Sequence, residues 1–423
     1  MTNKADMPAL EALRADFLTH LSDGTHSWQE SAQLLRRFEA ECKKLTIGID
    51  DFIIFFFEQQ YRHHIPSYSN RTLLASAAMT LVWTRINRRN VFWHQGSEIL
   101  AYRKAALSRL EVVLGRVSKY VESEEDGFFH AVMALIAFCK GDYMEGSRQC
   151  KHMCRKGFPE GAIHRGFFLG ANTFEAGHPA HEVQDEIEES FFLDISSVQE
   201  YVKSNPEPVL IASCDAAYFD NFSTGFFQSA RKHGWKGGII FLVMGSAETY
   251  QIDRGTYFIG TTSTLTYEPA LYASARYVLA RKILREVNSS AFICDIDFLF
   301  SEQLTGLMRE VAMNLDVGLC FHGYGVRSIA PWTATSAPMA FFQNNNFSHW
   351  FLKNYEAYFF EQWSRTEKRW WIDQNSLYNS YHQVRRCWPG AKIGNIFQLA
   401  NIGCTNQNNM VQKVKAQIKN ARA

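Results

Sequence analysis

The chain has 423 residues, 46% of them hydrophobic and 14% aromatic, enough to build cores in two or three domains. A formal net charge of +1 excludes nucleic-acid binding driven by bulk charge. Nine cysteines, scattered singly and with no Cys-x-x-Cys pair, point to reduced thiols rather than a disulfide framework or a zinc knuckle. The opening stretch MTNKADMPALEALRADF carries no apolar signal core, and the apolar run Phe52 to Phe57 is too short to span a bilayer. The expectation is a cytoplasmic protein without a transmembrane segment, either soluble or peripheral to the inner membrane.

Residues 1 to about 200 read as helices. Ala9 to Leu21, Trp28 to Leu45, Arg71 to Ile86 and Glu98 to Val121 place apolar residues three and four apart. In AVMALIAFCKGDYMEGSRQCKHMCR, residues 131–155, small and aromatic residues share a first helix. A Gly-Asp-Tyr turn and a second helix follow, so the segment resembles a tetratricopeptide-type hairpin. No clean 34-residue period accompanies it, and a plain helical bundle explains the same pattern. The two prolines of Lys203 to Pro208 cannot continue a helix and suit a domain linker. The boundaries expected are 1–204 for an all-α domain and 205–423 for a second domain.

Beyond the linker the texture changes. Val209 to Ser213 reads as a strand, and Asn221 to Lys232 as a helix with Phe222, Phe226, Phe227 and Ala230 on one face. Gly238 to Met244 and Tyr257 to Gly260 read as strands, and Leu271 to Val287 as a helix. Then comes AFICDIDFLF, residues 291–300: a short apolar strand ending in Asp295 and Asp297. Strands alternating with helices predict an α/β domain with a Rossmann-like, mixed but mostly parallel sheet. Carboxylates at i and i+2 lie on one side of a strand, and ligands of such sheets bind beyond the carboxyl ends of the strands. Two acids there repel each other unless a cation or a donor-rich ligand holds them. An isolated Asp-x-Asp is also common at a solvated strand end.

Four segments in order resemble one family. VLIASCDAAYFDNFSTGFFQSARKHGW is similar to the first strand and helix of nucleotide-diphospho-sugar glycosyltransferases of the GT-A fold. YASARYVLARKILREV is similar to the helix before that family's Asp-x-Asp strand. MAFFQNNNFSHWFLKNYEAYF resembles the later strand and helix on the acceptor side, and WWIDQNSLYNSYHQ the segment in which an acid-Gln pair opens a helix beside the donor sugar. The resemblance covers roughly residues 208–405 and leaves out the N-terminal half. The aromatic content suits sugar handling, as it also suits large cores.

The resemblance implies transfer of a sugar from a nucleotide-diphosphate sugar to a glycan or protein acceptor. It implies a divalent Mn2+ or Mg2+ that stabilises the leaving diphosphate. By the same likeness Asp297 ligates the metal directly, and Asp295 binds the ribose or reaches the metal through water. Asp215 accepts from the nucleoside, or caps the next helix. Tyr218 stacks on the base or packs in the core. Arg276 lies near the nucleotide or the acids, or on the surface. Asp373, with Gln374, holds sugar hydroxyls or acts as base, or merely caps a helix. His322, near the end of an apolar strand, and Trp371 are candidates to touch sugar or acceptor, although a satisfied structural histidine explains His322 better. Relatives often supply a third metal ligand, usually histidine, near the C-terminus; none follows Trp388, and Asn401 is the substitute. The helical half would bind a protein partner. The rival readings are a non-catalytic scaffold with a degenerate sugar-binding module and a haloacid-dehalogenase-type phosphohydrolase. The phosphohydrolase needs Thr or Val where Leu299 stands.

Overall fold

The structure, a computed structural model, describes residues 142–155, 170–175, 191–244, 257–262, 268–321, 330–366, 371–396 and 409–422, with single positions before residue 142. The four helices expected between residues 9 and 121 lie outside the described residues, apart from isolated helical positions such as Ala15 and Thr19. By contacts the chain divides into two compact units. One joins Met1–Ala176 with Gly323–Ala334; the other joins Gly177–His322 with Thr335–Ala423.

In the first unit, α1 (Tyr143–Arg155) supplies the second helix of the hairpin expected there. Asp142 starts it by accepting from the Glu145 N–H at 3.0 Å. A 3-10 turn, Gly170–Thr173, and a short helical turn, Pro331–Ala334, complete its described elements. Trp332 is fully buried, its ring edge-on to Phe138 at 5.4 Å and to Phe174 at 5.8 Å. Gly170 must be glycine here: a Cβ would lie 2.2 Å from that indole.

The second unit is an α/β domain. Its elements are β1 (Phe191–Phe192), α2 (Ile195–Ser204), β2 (Val209–Asp215), α3 (Ala216–Lys232), β3 (Ile239–Met244), β4 (Phe258–Thr262), α4 (Pro269–Val278) and α5 (Ala280–Val287). There follow β5 (Ala291–Cys294), α6 (Glu302–Asn314), β6 (Val317–Phe321), β7 (Thr335–Phe342), α7 (Asn346–Arg365), α8 (Ile372–Cys387), β8 (Ile393–Asn395) and α9 (Asn409–Arg422). The strands form one sheet in the order β1-β4-β3-β2-β5-β7-β6-β8. All run the same way except β1 and β7, so the sheet is mixed and mostly parallel.

β2 and β3 are buried along their whole length, which is why VLIASCD and IIFLVM read as continuous rather than alternating apolar runs. On one face Phe219, Phe222 and Phe226 of α3 join Leu304, Leu307, Met308 and Val311 of α6 over the strands. On the other, α4 lies against β2, and α8 against β7. The chain steps from β2 to β3 to β4 towards one edge, then returns to place β5 on the opposite side of β2. The carboxyl ends of β2 and β5 therefore flank the topological switch point, where open α/β sheets take their ligands.

Several boundaries differ from expectation. β1 pairs antiparallel with β4, Phe191 opposite Thr262, inside a stretch expected to be helical; two residues are too few to show alternation. With α2 it belongs to the sheet unit, which starts at residue 177, upstream of the expected boundary at 205. The helix expected from 221 begins at Ala216, because Asp215 caps it. The helix expected over 271–287 is two helices meeting at Leu279, and Asn288 in a left-handed conformation (φ 53°) ends the second. The strand expected at 257–260 is Phe258–Thr262.

Candidate functional site

The site builds outward from the last turn of β2. Ser213 Oγ donates to the Tyr272 carbonyl at 2.5 Å and accepts from the Arg276 N–H at 3.2 Å, which locks α4 against the strand. That lock aims Arg276 across β2 at the end of β5. The Arg276 side chain is 4% exposed, and its Nη2 sits 2.6 Å from Asp295 Oδ1. The same nitrogen donates to the Ala337 carbonyl at 2.8 Å, as does the Tyr277 hydroxyl. The guanidinium also lies over the Tyr277 ring at 5.4 Å. Burial alone would lower the Arg276 pKa; Asp295 first, with Tyr277 and Asp373, reverses this, so the guanidinium is held charged.

Asp295 and Asp297 occupy a turn rather than a continued strand. The Asp295 N–H donates to the Pro338 carbonyl at 2.9 Å, and the Asp295 carbonyl accepts from Phe298 N–H at 3.1 Å. Ile296, Phe298 and Phe300 point into the core, with Phe300 edge-on to Phe226 at 4.9 Å. These anchors fix the acids between them. Asp297, nearly buried, is ion-paired with Lys415 of α9. Val414 and Ile418 of α9 pack on the same core, so helix packing sets where Lys415 stands. Burial would lower the Lys415 pKa, but Asp297, by charge and hydrogen bond, and then Asp295 and Tyr218 raise it.

Asp373 enters from the first turn of α8. Trp371 precedes it as N-cap at φ 71°, a left-handed conformation rare for a bulky residue. Asp373 Oδ1 accepts from Gln374 N–H at 2.8 Å, and the Gln374 carbonyl accepts from Thr335 Oγ1 at 2.8 Å, which ties the start of α8 to β7. Burial pushes the Asp373 carboxyl above the ordinary aspartate range, against the opposing pull of Arg276; Asp295 pushes it further up. Asp373 is thus not the helix cap but a first-turn carboxylate within electrostatic reach of Arg276 and Asp295.

Asp215 caps α3, accepting from the Tyr218 N–H at 3.0 Å, which is the capping role weighed above. The Tyr218 ring is partly buried, 5.3 Å from Phe222. The thiols beside the acids, Cys214 and Cys294, are pushed up by burial and so are poor nucleophiles. Arg276, Asp295, Asp297 and Asp373 are therefore brought together at the switch point, with Asp215 and Tyr218 at its β2 side. His322 and Asn401 lie outside the described residues. Sequence reading missed Lys415, since VQKVKAQIKN carries three lysines and nothing local separates them. It also missed Tyr277 and Tyr355, whose rings stack at 5.1 Å beneath Arg276.

The side chains present do not fit the divalent ion expected at Asp297 and Asp295. Each carboxylate already faces a protein cation, Arg276 or Lys415. Among the described residues no cluster of three or more His, Cys, Asp or Glu assembles around them. A hard ion such as Mg2+ is commonly held by one or two carboxylates, substrate phosphates and waters, so it is the fixed cation facing each acid, not the number of acids, that opposes a metal here. Among the described residues no helix is long and apolar enough to cross a membrane. No family model, curated protein or solved structure matches this chain.

Proposed function

We propose that the α/β unit is a glycosyltransferase of the GT-A type, using a nucleotide-diphosphate sugar as donor and a glycan or protein as acceptor. The observation that carries this reading is the grouping of Asp295, Arg276 and Asp373 beyond the carboxyl ends of β2 and β5. Those two strands flank the point where the strand order reverses, the place for a nucleotide in an open α/β sheet. In this reading Asp215 and Tyr218 border the nucleoside. Asp295, oriented by Arg276, accepts from the ribose hydroxyls. Gln374 helps to orient the sugar.

The chemistry follows from the charge distribution. The acceptor hydroxyl oxygen attacks the anomeric carbon while the bond from that carbon to the diphosphate oxygen breaks. The bonding pair leaves on the diphosphate, and the acceptor proton passes to Asp373. The products are the glycosylated acceptor, a nucleoside diphosphate and a protonated Asp373. A carboxylate whose pKa is raised by burial is a better base near neutral pH than an ordinary aspartate. Incubation with a panel of UDP-, GDP-, ADP- and CDP-sugars, scored for release of nucleoside diphosphate, tests the proposal. Slow hydrolysis of one donor, abolished in Asp373→Asn, is expected. No turnover and no binding of any donor would favour a non-catalytic scaffold instead.

A further inference from the structure

Lys415 is the residue that the expected chemistry does not absorb. It reaches the site from α9, far along the chain from the Asp-x-Asp turn, and pairs with the acid that would otherwise bind a metal. We propose that Lys415 is the resident cation of the diphosphate subsite, and that donor binding needs no divalent metal. The inference rests on the glycosyltransferase reading given above.

Asp297 is 4% exposed, and a buried carboxylate is costly unless a cation matches it. Its match is covalently supplied and fixed in place, because Val414 and Ile418 hold α9 on the core that also receives Ile296 and Phe298. The Lys415 side chain is itself 30% exposed. The Lys415 side chain therefore stands between the buried Asp297 and solvent. An ammonium has three N–H donors, and one or two suffice for a carboxylate. In this proposal the rest donate charge-assisted hydrogen bonds to a diphosphate oxygen. In this arrangement Asp297 positions Lys415, and Lys415 counters the negative charge that grows on the leaving phosphate. Asp295 is likewise matched by Arg276, which leaves neither acid in need of a metal.

Calorimetric titration of the full chain with UDP, GDP, ADP and CDP, in EDTA and again in Mn2+, tests this. For the nucleotide that binds, Kd in the two media should agree within about threefold. Lys415→Ala should weaken binding roughly ten- to a hundredfold, the scale of one or two hydrogen bonds to a charged group. Lys415→Arg should recover most of it. Asp297→Asn separates the models most cleanly. It should stay within about tenfold of the parent if Lys415 is the cation, whereas it should abolish binding if Asp297 holds a metal. Lys415→Ala leaves a buried carboxylate without its cation, so the double variant Lys415→Ala/Asp297→Asn provides a second arm. A folded double variant, checked by circular dichroism, should show the same loss. Binding that vanishes in EDTA and returns with Mn2+ would overturn the proposal while sparing the glycosyltransferase reading. So would Lys415→Ala binding as tightly as the parent. Failure of every nucleotide to bind the parent in either medium would overturn both.

Discussion

Arg276→Met is the sharpest test of how the site is built, because its outcome does not depend on the donor. The substitution keeps an unbranched, mostly apolar stem in the buried slot and removes the charge. What is lost is an ion pair at 2.6 Å to Asp295, a hydrogen bond to the Ala337 carbonyl and a cation–π contact with Tyr277. The Ala337 carbonyl is not orphaned, since the Tyr277 hydroxyl still donates to it. Removing one partner of a buried pair costs about 3–5 kcal/mol. The Asp295 side chain is 30% exposed, so water recovers part of this, and the lower end, about 3 kcal/mol, is expected. For a domain of this size that corresponds to a fall in melting temperature of roughly 6–12 °C. Urea unfolding followed by tryptophan fluorescence supplies the free energy, and the companion Asp295→Asn closes a double-mutant cycle. A coupling of about 1–3 kcal/mol is expected. If Arg276→Met lies within about 0.5 kcal/mol of the parent, the pair is a surface-like contact and its role in orienting Asp295 falls.

Asp373→Asn should cut turnover about a hundredfold, or about 3 kcal/mol, with nucleotide affinity barely changed; a drop of only a few-fold in a kcat measurement would demote Asp373 to helix-start chemistry. A base must be deprotonated, so turnover should fall as pH falls through the Asp373 pKa. Because that pKa is raised, the acid limb of the kcat–pH profile should lie above the range of an ordinary aspartate, and a profile flat down to pH 4 would contradict the assignment. Phe226, fully buried and edge-on to Phe241 and Phe300, should cost about 3–5 kcal/mol when replaced by Ala, read by denaturant midpoint. Gly237→Ala would put a Cβ 2.2 Å from the Pro208 carbonyl oxygen at the entrance to β2, so backbone must shift; a loss of about 1–3 kcal/mol by the same assay is expected.

The α/β half was legible because its signals are local. β2, β3 and β5 are short continuous apolar runs that bury on both faces, and their length and composition mark them as strands. β7 could be placed in the sheet only through pairing, since its antiparallel direction depends on partners on either side, β5 and β6. The two-residue β1 carries no pattern at all. The site divides in the same way. Asp295 and Asp297 stood out by their position at a strand end, whereas Arg276 and Asp373 were named through the resemblance of their segments to glycosyltransferases. Lys415 was invisible because its importance comes from Asp297, more than a hundred residues away in sequence, and from the packing of Val414 and Ile418. The capping of α3 by Asp215 shows the converse: a local signal, Asp before a helix, was sufficient to name the outcome as one of two.

The buried Trp332 has a consequence for biosynthesis. The first unit takes the buried indole of Trp332 from the segment 323–334, which the chain reaches only after β6 of the sheet unit has been made. Phe138 and Phe174 therefore leave the ribosome long before the ring that covers them. With roughly 160 residues still to be added at about 5–20 per second, their apolar faces wait roughly 8–30 s for Trp332. During that interval Phe138 and Phe174 lack their partner ring and offer an apolar aromatic surface of the kind that holdase chaperones bind, and a ribosome stalled before residue 332 would present it indefinitely.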